Sequence, residues 1–289
     1  MFFGDLSSSE FFSLIQDHGE IRLVDIWYDT PFYLLDEDSN KETIINTLKK
    51  RIDDLSLEVV AHAAAFDVNP IAYSPAAQLL TLEETKKALI FASKIGARFV
   101  TLHGGFSSFG SRVTRYDLML FERFIDELVA FIEAQALEIT LCLENDAATP
   151  NMMRPLESLH VFQTLLDKHE TINVTLDIAH VIKSSISNDQ FIVRDPRIDR
   201  DTISSFLDSN GKRVKIVHAS YPNKYRTHGR IDVSDETFLD VARKIQHAID
   251  PSNFRCIFEY TVEEFSNPCD AMDALVADAT SVTEYLEGA

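Results

Sequence analysis

Short apolar runs and amphipathic stretches alternate along the chain. The apolar runs fall at residues 2–6, 21–28, 57–64, 98–104, 138–144, 172–178, 214–219 and 254–260. Each is rich in Val, Ile, Leu or Phe and reads as a strand buried on both faces. Between them the spacing lengthens to a helical period, in 41–55, 82–95, 116–136, 156–169 and 236–249. From Leu82 to Ala92 the apolar side chains share one stripe and the charges the other. Gly96 predicts the stop of that helix, and Asp235 with Ser234 predicts the cap of the one opening near Glu236.

Eight strands alternating with eight helices predict an α/β fold, a closed (β/α)8 TIM barrel occupying residues 1–289 as a single domain. A doubly wound open sheet is the competing arrangement. It ordinarily carries a glycine-rich phosphate loop after its first strand. Here the first run leads into Asp5-Leu6-Ser7-Ser8-Ser9, without that loop. Residues 65–81, 104–114, 145–155 and 181–195 read as long loops at the carboxyl ends of strands, where a barrel places its substrate pocket.

Composition narrows the setting. Of 289 residues, 45% are hydrophobic and 25% charged, ordinary for a chain with a full core. No apolar run approaches the roughly 18 residues of a membrane span. The opening MFFGDLSSSEFF lacks the basic region and long apolar stretch of a secretory signal, so a cytoplasmic location is expected. Cys142, Cys256 and Cys269 show no C-x-x-C spacing and read as reduced residues, the first two in buried strands. The net charge of −19 disfavours broad binding to nucleic acid or anionic membrane.

Six of the apolar runs end on a residue that can ligate a metal. VVAH ends at His62, FVTLH at His103, LCLE at Glu144, VTLD at Asp177, KIVH at His218 and CIFE at Glu259. Taken alone, a strand-end histidine is usually a hydrogen-bonded structural residue, and a strand-end carboxylate often caps a helix. Their recurrence at the same end of successive strands argues for one site, because a barrel gathers those ends on one face. Asp177 and His180 form D-I-A-H, a spacing that lets the pair act together where the strand ends. Glu144, Asp177, His218 and Glu259 make an oxygen-rich set suited to Mn²⁺, Mg²⁺ or Co²⁺, or to Zn²⁺ when more histidines join. Lys224, Arg226 and Arg230 cluster after the seventh predicted strand, either as a solvated basic loop or as a clamp for a phosphate or carboxylate. Arg112 and Arg115 are weaker candidates of the same kind.

The order H…H-G-G…L-E-N…D-x-x-H…H…G-x-I-D…E resembles the xylose isomerase-like barrel superfamily, over about residues 3–264. The stretch from His62 to Pro70 also looks like that group's third-strand loop. The group includes sugar and keto-sugar isomerases and epimerases, and the endonuclease IV type of abasic-site nucleases. In the first, the resemblance implies that Glu144, Asp177, His218 and Glu259 hold one divalent metal. Glu144 and Glu259 would pass a proton across a sugar carbon, and His180 would help position the substrate. Trp27 and Phe106 would cover the apolar face of the sugar, unless they are ordinary core residues. In the nucleases the resemblance implies a three-zinc cluster held by His62, His103, Glu144, Asp177, His180, His218, His228 and Glu259.

Departures weigh against the nuclease. Its motif has an Asp two residues before the ligand histidine, where this chain has Arg226 before His228. The segment 221–232 is short, and the loop after His62 reads Ala-Ala-Ala-Phe, without residues to wedge into a duplex. The expected function is therefore a metal-dependent isomerase or epimerase of a small-molecule sugar or sugar phosphate, with nucleic acid a partner only under the second reading. A barrel that has lost catalysis and keeps a binding role is the third. Many members of the group are dimers or tetramers, so a homo-oligomer is compatible with the resemblance.

Overall fold

A computed structural model describes residues 8–30, 40–105, 114–145, 166–185, 200–222, 228–260 and 267–288. Among these are seven strands: β1 (Leu23–Trp27), β2 (Glu58–His62), β3 (Phe99–Leu102), β4 (Thr140–Glu144), β5 (Asn173–Asp177), β6 (Val214–Ala219) and β7 (Arg255–Phe258). The helices are α1 (Ser8–Asp17), α2 (Lys41–Asp54), α3 (Pro75–Ile95), α4 (Arg115–Ala134), α5 (Ile178–Ser185), α6 (Arg200–Asn210), α7 (Glu236–Ala248) and α8 (Pro268–Gly288). All strand pairs are parallel and run in chain order from β1 to β7. β7 comes round to lie near β1, so the sheet is a nearly closed barrel. The expected strand at 2–6 lies outside the described residues. A groove of about 460 Å³ lined by α1, β1, β7 and α8 marks the seam between the two terminal strands.

Alternation along each strand sorts the side chains into two cores. Val24, Ile26, Val59, Ala61, Leu141 and Leu143 face outward and join the helices in the main core. Val60, Cys142, Ile216 and Ile257 face inward and form a separate apolar plug, with Leu23 and Phe99 against it. Burying one such aliphatic side chain is worth about 1.5–3 kcal/mol, so a slip of one residue in any strand is strongly opposed. Toward the amino ends of the strands Arg255 Nε donates to Glu58 Oε1 at 2.6 Å. Toward the carboxyl ends the Thr101 and Thr175 hydroxyls meet at 2.9 Å.

The helices start and stop on local chemistry. Asn40 caps α2 by accepting the Glu42 N–H, and Thr114 with Asp117 forms a capping box at α4. Asp235 caps α7 as expected, accepting the N–H groups of Thr237 and Phe238. Gly96 ends α3 in the left-handed region, at φ 92°.

Three expectations need correction. α3 begins at Pro75, inside the segment 65–81 read as loop; Ser74 and Pro75 mark its start, but Leu79 and Leu80 are exposed and hide its stripe. α5 follows β5 directly and occupies the start of the 181–195 loop. Cys256 is exposed rather than buried and lines the groove between β1 and β7; Cys142 is buried as expected. The helix at 156–169 is described only from residue 166. No helix among the described residues is long and apolar enough to cross a membrane.

Candidate metal centre

The plug and the site are one continuous pattern. Val60, Cys142, Thr175, Ile216 and Ile257 face the barrel interior, and two residues further along stand His62, Glu144, Asp177, His218 and Glu259. Side chains two apart on a strand share a face. The alternation that buries the plug therefore aims the ligands into the carboxyl-end mouth. His103 and Glu259 stand just past the ends of β3 and β7.

Three groups of donors meet there, each with its ligand atoms within 4.8 Å of one another. The centre is Glu144, Asp177, His218 and Glu259. One flank is His62, His103 and Glu144; the other is Asp177, His180 and His228. His218 Nδ1 lies 2.8 Å from Glu144 Oε1 and 3.1 Å from Glu259 Oε2. Glu144 Oε2 turns the other way, 3.5 Å from His62 Nε2 and 3.4 Å from His103 Nε2. Asp177 Oδ2 is 3.7 Å from His228 Nδ1. Glu144 and Asp177 are thus shared, and the three groups form one chain of donors.

Neighbours fix these side chains. His62 Nδ1 donates to the Ala63 carbonyl at 2.9 Å, which leaves Nε2 with its lone pair toward the site. The Trp27 indole stacks on the His62 ring, with centroids 3.8 Å apart and planes 17° apart. Phe66 stacks on Trp27 at 5.9 Å, and Asp29 Oδ2 pins its backbone by accepting the N–H groups of Ala65 and Phe66. The Asn145 side chain clasps the Asp177 backbone, accepting its N–H at 2.7 Å and donating to its carbonyl at 2.9 Å. The Asn145 carbonyl accepts from His180 Nδ1 at 2.7 Å. His228 is held by the antiparallel bridge between Tyr221 and Gly229 and by Ser220 Oγ at 3.1 Å.

Burial sets the electrostatics. The side chains of His62, Glu144 and His218 are 1% exposed and that of Asp177 is fully buried. Burial pushes the Glu144 carboxyl up, but His218 and His103 outweigh it and hold the group well below the usual carboxylate range. Glu259 is likewise lowered against its burial, by His228 and His218. Burial wins at Asp177, whose carboxyl is raised although His180 and His228 oppose it. Burial lowers the His218 imidazole, but Glu144 and Glu259 drive it well above its ordinary value. His62 is raised against its burial, mainly by Glu144.

This arrangement fits a divalent cation. Glu144 Oε2, Asp177 Oδ2 and His62 Nε2 are buried without a hydrogen-bond partner among the described residues. Each such atom costs about 1–3 kcal/mol. Carboxylate oxygens and imidazole nitrogens converging in this way are ligands whose desolvation a cation would offset. Residues Glu144, Asp177, His218 and Glu259 would hold it.

Of the other expected residues, Trp27 walls the site behind His62, and His180 and His228 form the second flank. Arg230 is engaged elsewhere: its guanidinium takes both oxygens of Asp278 on α8, at 3.0 and 2.6 Å. Asp278 also accepts from Tyr260, so Arg230 braces the His228 segment rather than facing a substrate anion. Phe106, Lys224 and Arg226, and Arg112, lie outside the described residues. Two contributors escaped the sequence reading. Asn145 was legible only as the residue after Glu144. Asp25 sits mid-strand in Val-Asp-Ile-Trp on the interior face, and a charge inside an apolar run was the available signal.

The fold has close counterparts. A D-tagatose 3-epimerase-like protein superposes with a TM-score of 0.69 at 20% identity, over 92% of this chain and 90% of the other. D-psicose 3-epimerase from Clostridium cellulolyticum H10 gives 0.68 at 12%, over 98% and 94%. The IolI protein with a bound zinc atom gives 0.68 at 14%, over 98% and 95%. At these identities the likeness establishes the fold alone. No curated protein matches the chain in sequence. The family model described as xylose isomerase-like TIM barrel matches residues 12–264. With the parallel barrel and the strand-end donors already in place, that match establishes that the chain belongs to the xylose isomerase-like TIM barrel family.

Proposed function

We propose that the protein is a divalent-metal-dependent isomerase or epimerase of a sugar or sugar phosphate. The observation that carries this reading is the pair of glutamates. Glu144 from β4 and Glu259 from β7 reach the same nitrogen of His218 from two sides of the barrel. A sugar carbon held between them would be open to a carboxylate on each face. One glutamate removes the proton on the carbon next to the carbonyl, and the other returns a proton to the opposite face. His180 orients the substrate hydroxyls, and the apolar wall of Trp27 and Phe66 excludes water from one side. A bound cation, most simply Mn²⁺, Co²⁺, Mg²⁺ or Zn²⁺, supplies Lewis acidity toward the carbonyl oxygen. The 3-epimerase names of the structural neighbours agree with this chemistry.

The test is exchange. Protein purified without chelator and reloaded with each cation is offered ketoses and aldoses in deuterated water. Deuterium should enter at the epimerised carbon, and Glu144→Gln or Glu259→Gln should stop it. Metal-loaded protein that neither turns over nor exchanges any member of the panel defeats the reading.

A second reading, hydrolysis of a phosphodiester at an abasic site, is favoured by one observation. The flanks supply His62, His103, His180 and His228, which a single-ion centre does not require. About three zinc ions per chain, with cleavage of a duplex carrying an abasic site, would shift the assignment. One ion per chain and an intact duplex would remove it. Absence of bound metal after reloading would leave a barrel with a binding role.

A further inference from the structure

Four exposed apolar side chains adjoin on the outer surface of the barrel. Leu79 and Leu80 project from the opening turns of α3, and Tyr116 and Met119 from those of α4; each is between 55% and 61% exposed. One such residue is ordinary on a protein surface, but a cluster marks a binding face. The phase of the helices brings the two pairs together. Lys86, seven residues after Leu79 and on the same face of α3, reaches over the Phe131 ring of α4. Gln78 shares with Tyr116 and Met119 the lining of a notch of about 480 Å³, completed by Tyr73, Thr114 and Leu120. Its walls are held in place: the Tyr73 hydroxyl donates to Asp117 Oδ1 at 2.9 Å, and Gln78 Nε2 donates to the Ala72 carbonyl at 2.7 Å.

The surroundings of the patch decide what covers it. The chain carries a net charge of −19, so two copies repel over most of their surfaces. This face is different. Ser74 to Leu82 contains no charged residue. On the first turn of α4 Asp117 is buried and Arg115 exposed; further along, Glu122 and Asp126 pair with Lys168, and Arg123 is exposed. Glu83 is exposed at the rim on α3. A two-fold axis that laid α3 of one copy over α4 of the other would bring these opposite charges together. It would also seat the leucines of each copy in the notch of the other, satisfying both contacts at once, as isologous interfaces do.

We propose that this face joins two copies of the chain about a two-fold axis, with the α3 leucines of one seated in the notch between α3 and α4 of the other. Across two copies the four apolar side chains would remove roughly 900 Å² from water, more than half of the roughly 1,600 Å² typical of a stable interface. The aliphatic stems of the rim arginines add to it.

Sedimentation velocity of the whole chain at micromolar concentration should show a species of twice the chain mass. Leu79→Glu and Met119→Lys, each at an exposed position, should dissociate it. Each substitution enters twice across the axis, so the dissociation constant should rise at least about 100-fold. Circular dichroism melts should show the separated chains still folded, and Leu80→Glu replaces either variant that fails to fold. An equimolar mixture of the Leu79→Glu and Met119→Lys variants should associate again, because one contact stays apolar and the other gains an ion pair. A wild type that sediments as one chain overturns the proposal, and so does a dimer that survives both substitutions. Variants that dissociate but do not recombine refute the packing of Leu79 on Met119 across a two-fold axis.

Discussion

The centre and its two flanks are built differently. All four donors of the centre stand on or just past strands, in line with the plug below, and none is more than 13% exposed. Each flank adds a histidine that is 23% exposed, His103 just past β3 and His228 in the segment after β6. The centre is therefore a product of the barrel itself, fixed by the register that fixes the core. The first flank still stands on or just past strands, whereas the second takes His180 from α5 and His228 from the segment after β6, where this architecture varies its chemistry. Glu144 and Asp177 tie the two kinds of region together, because each belongs to the centre and to a flank at once.

The largest effect is expected at Glu144. Glu144→Gln removes a shared anion, and turnover should fall about 10²–10⁴-fold. Bound metal, counted by mass spectrometry, should fall in the centre and the first flank together. A variant with wild-type turnover would remove Glu144 from the chemistry. A smaller effect is expected from His62→Ala combined with His103→Ala. One ion per chain should remain in the centre, with turnover reduced no more than about 10–100-fold. A loss as deep as that of Glu144→Gln would instead place the chemistry in the flank.

Acidity should separate the metal-loaded and metal-free forms. His218 and His62 are raised above the ordinary imidazole value in the metal-free protein. Their contribution to its stability is complete below about pH 6.5 and is lost as pH rises through the raised values. A cation must displace those protons, so its affinity runs the other way and strengthens as pH rises. Calorimetric titrations at about pH 6 and pH 8, run beside thermal melts, should show these opposite trends. Melting and affinity that move together would refute them. The smallest effect is expected at Arg230→Ala. Its guanidinium side chain is 51% exposed, so losing the Asp278 pair should cost no more than about 1 kcal/mol. Metal in the centre should be retained, and a melt that collapses would show that the brace carries more than the His228 segment.

Much of the centre was legible because strand, burial and ligand coincide. An apolar run ending in Glu144, Asp177 or His218 announces both the strand and the direction of its last side chain. His180 was legible for a similar reason, three residues beyond Asp177. What stayed hidden depends on partners distant in sequence. Nothing near Arg230 indicates that Asp278 takes its charge, 48 positions away. Asp25 meets His218 only because a nearly closed barrel brings β1 and β6 to one interior. The start of α3 was missed for a local reason: its first turns carry leucines that face solvent and break the stripe.

The stack of Trp27 on His62 has a consequence of its own. The chain contains one tryptophan, and it lies face to face with an imidazole of the donor set. A protonated imidazole in contact with an indole quenches its emission by drawing charge from the excited ring. Tryptophan fluorescence from this protein therefore comes from a single lamp beside one ligand, and its brightness should report whether His62 holds a proton, a cation or neither, in plain buffer and without a label.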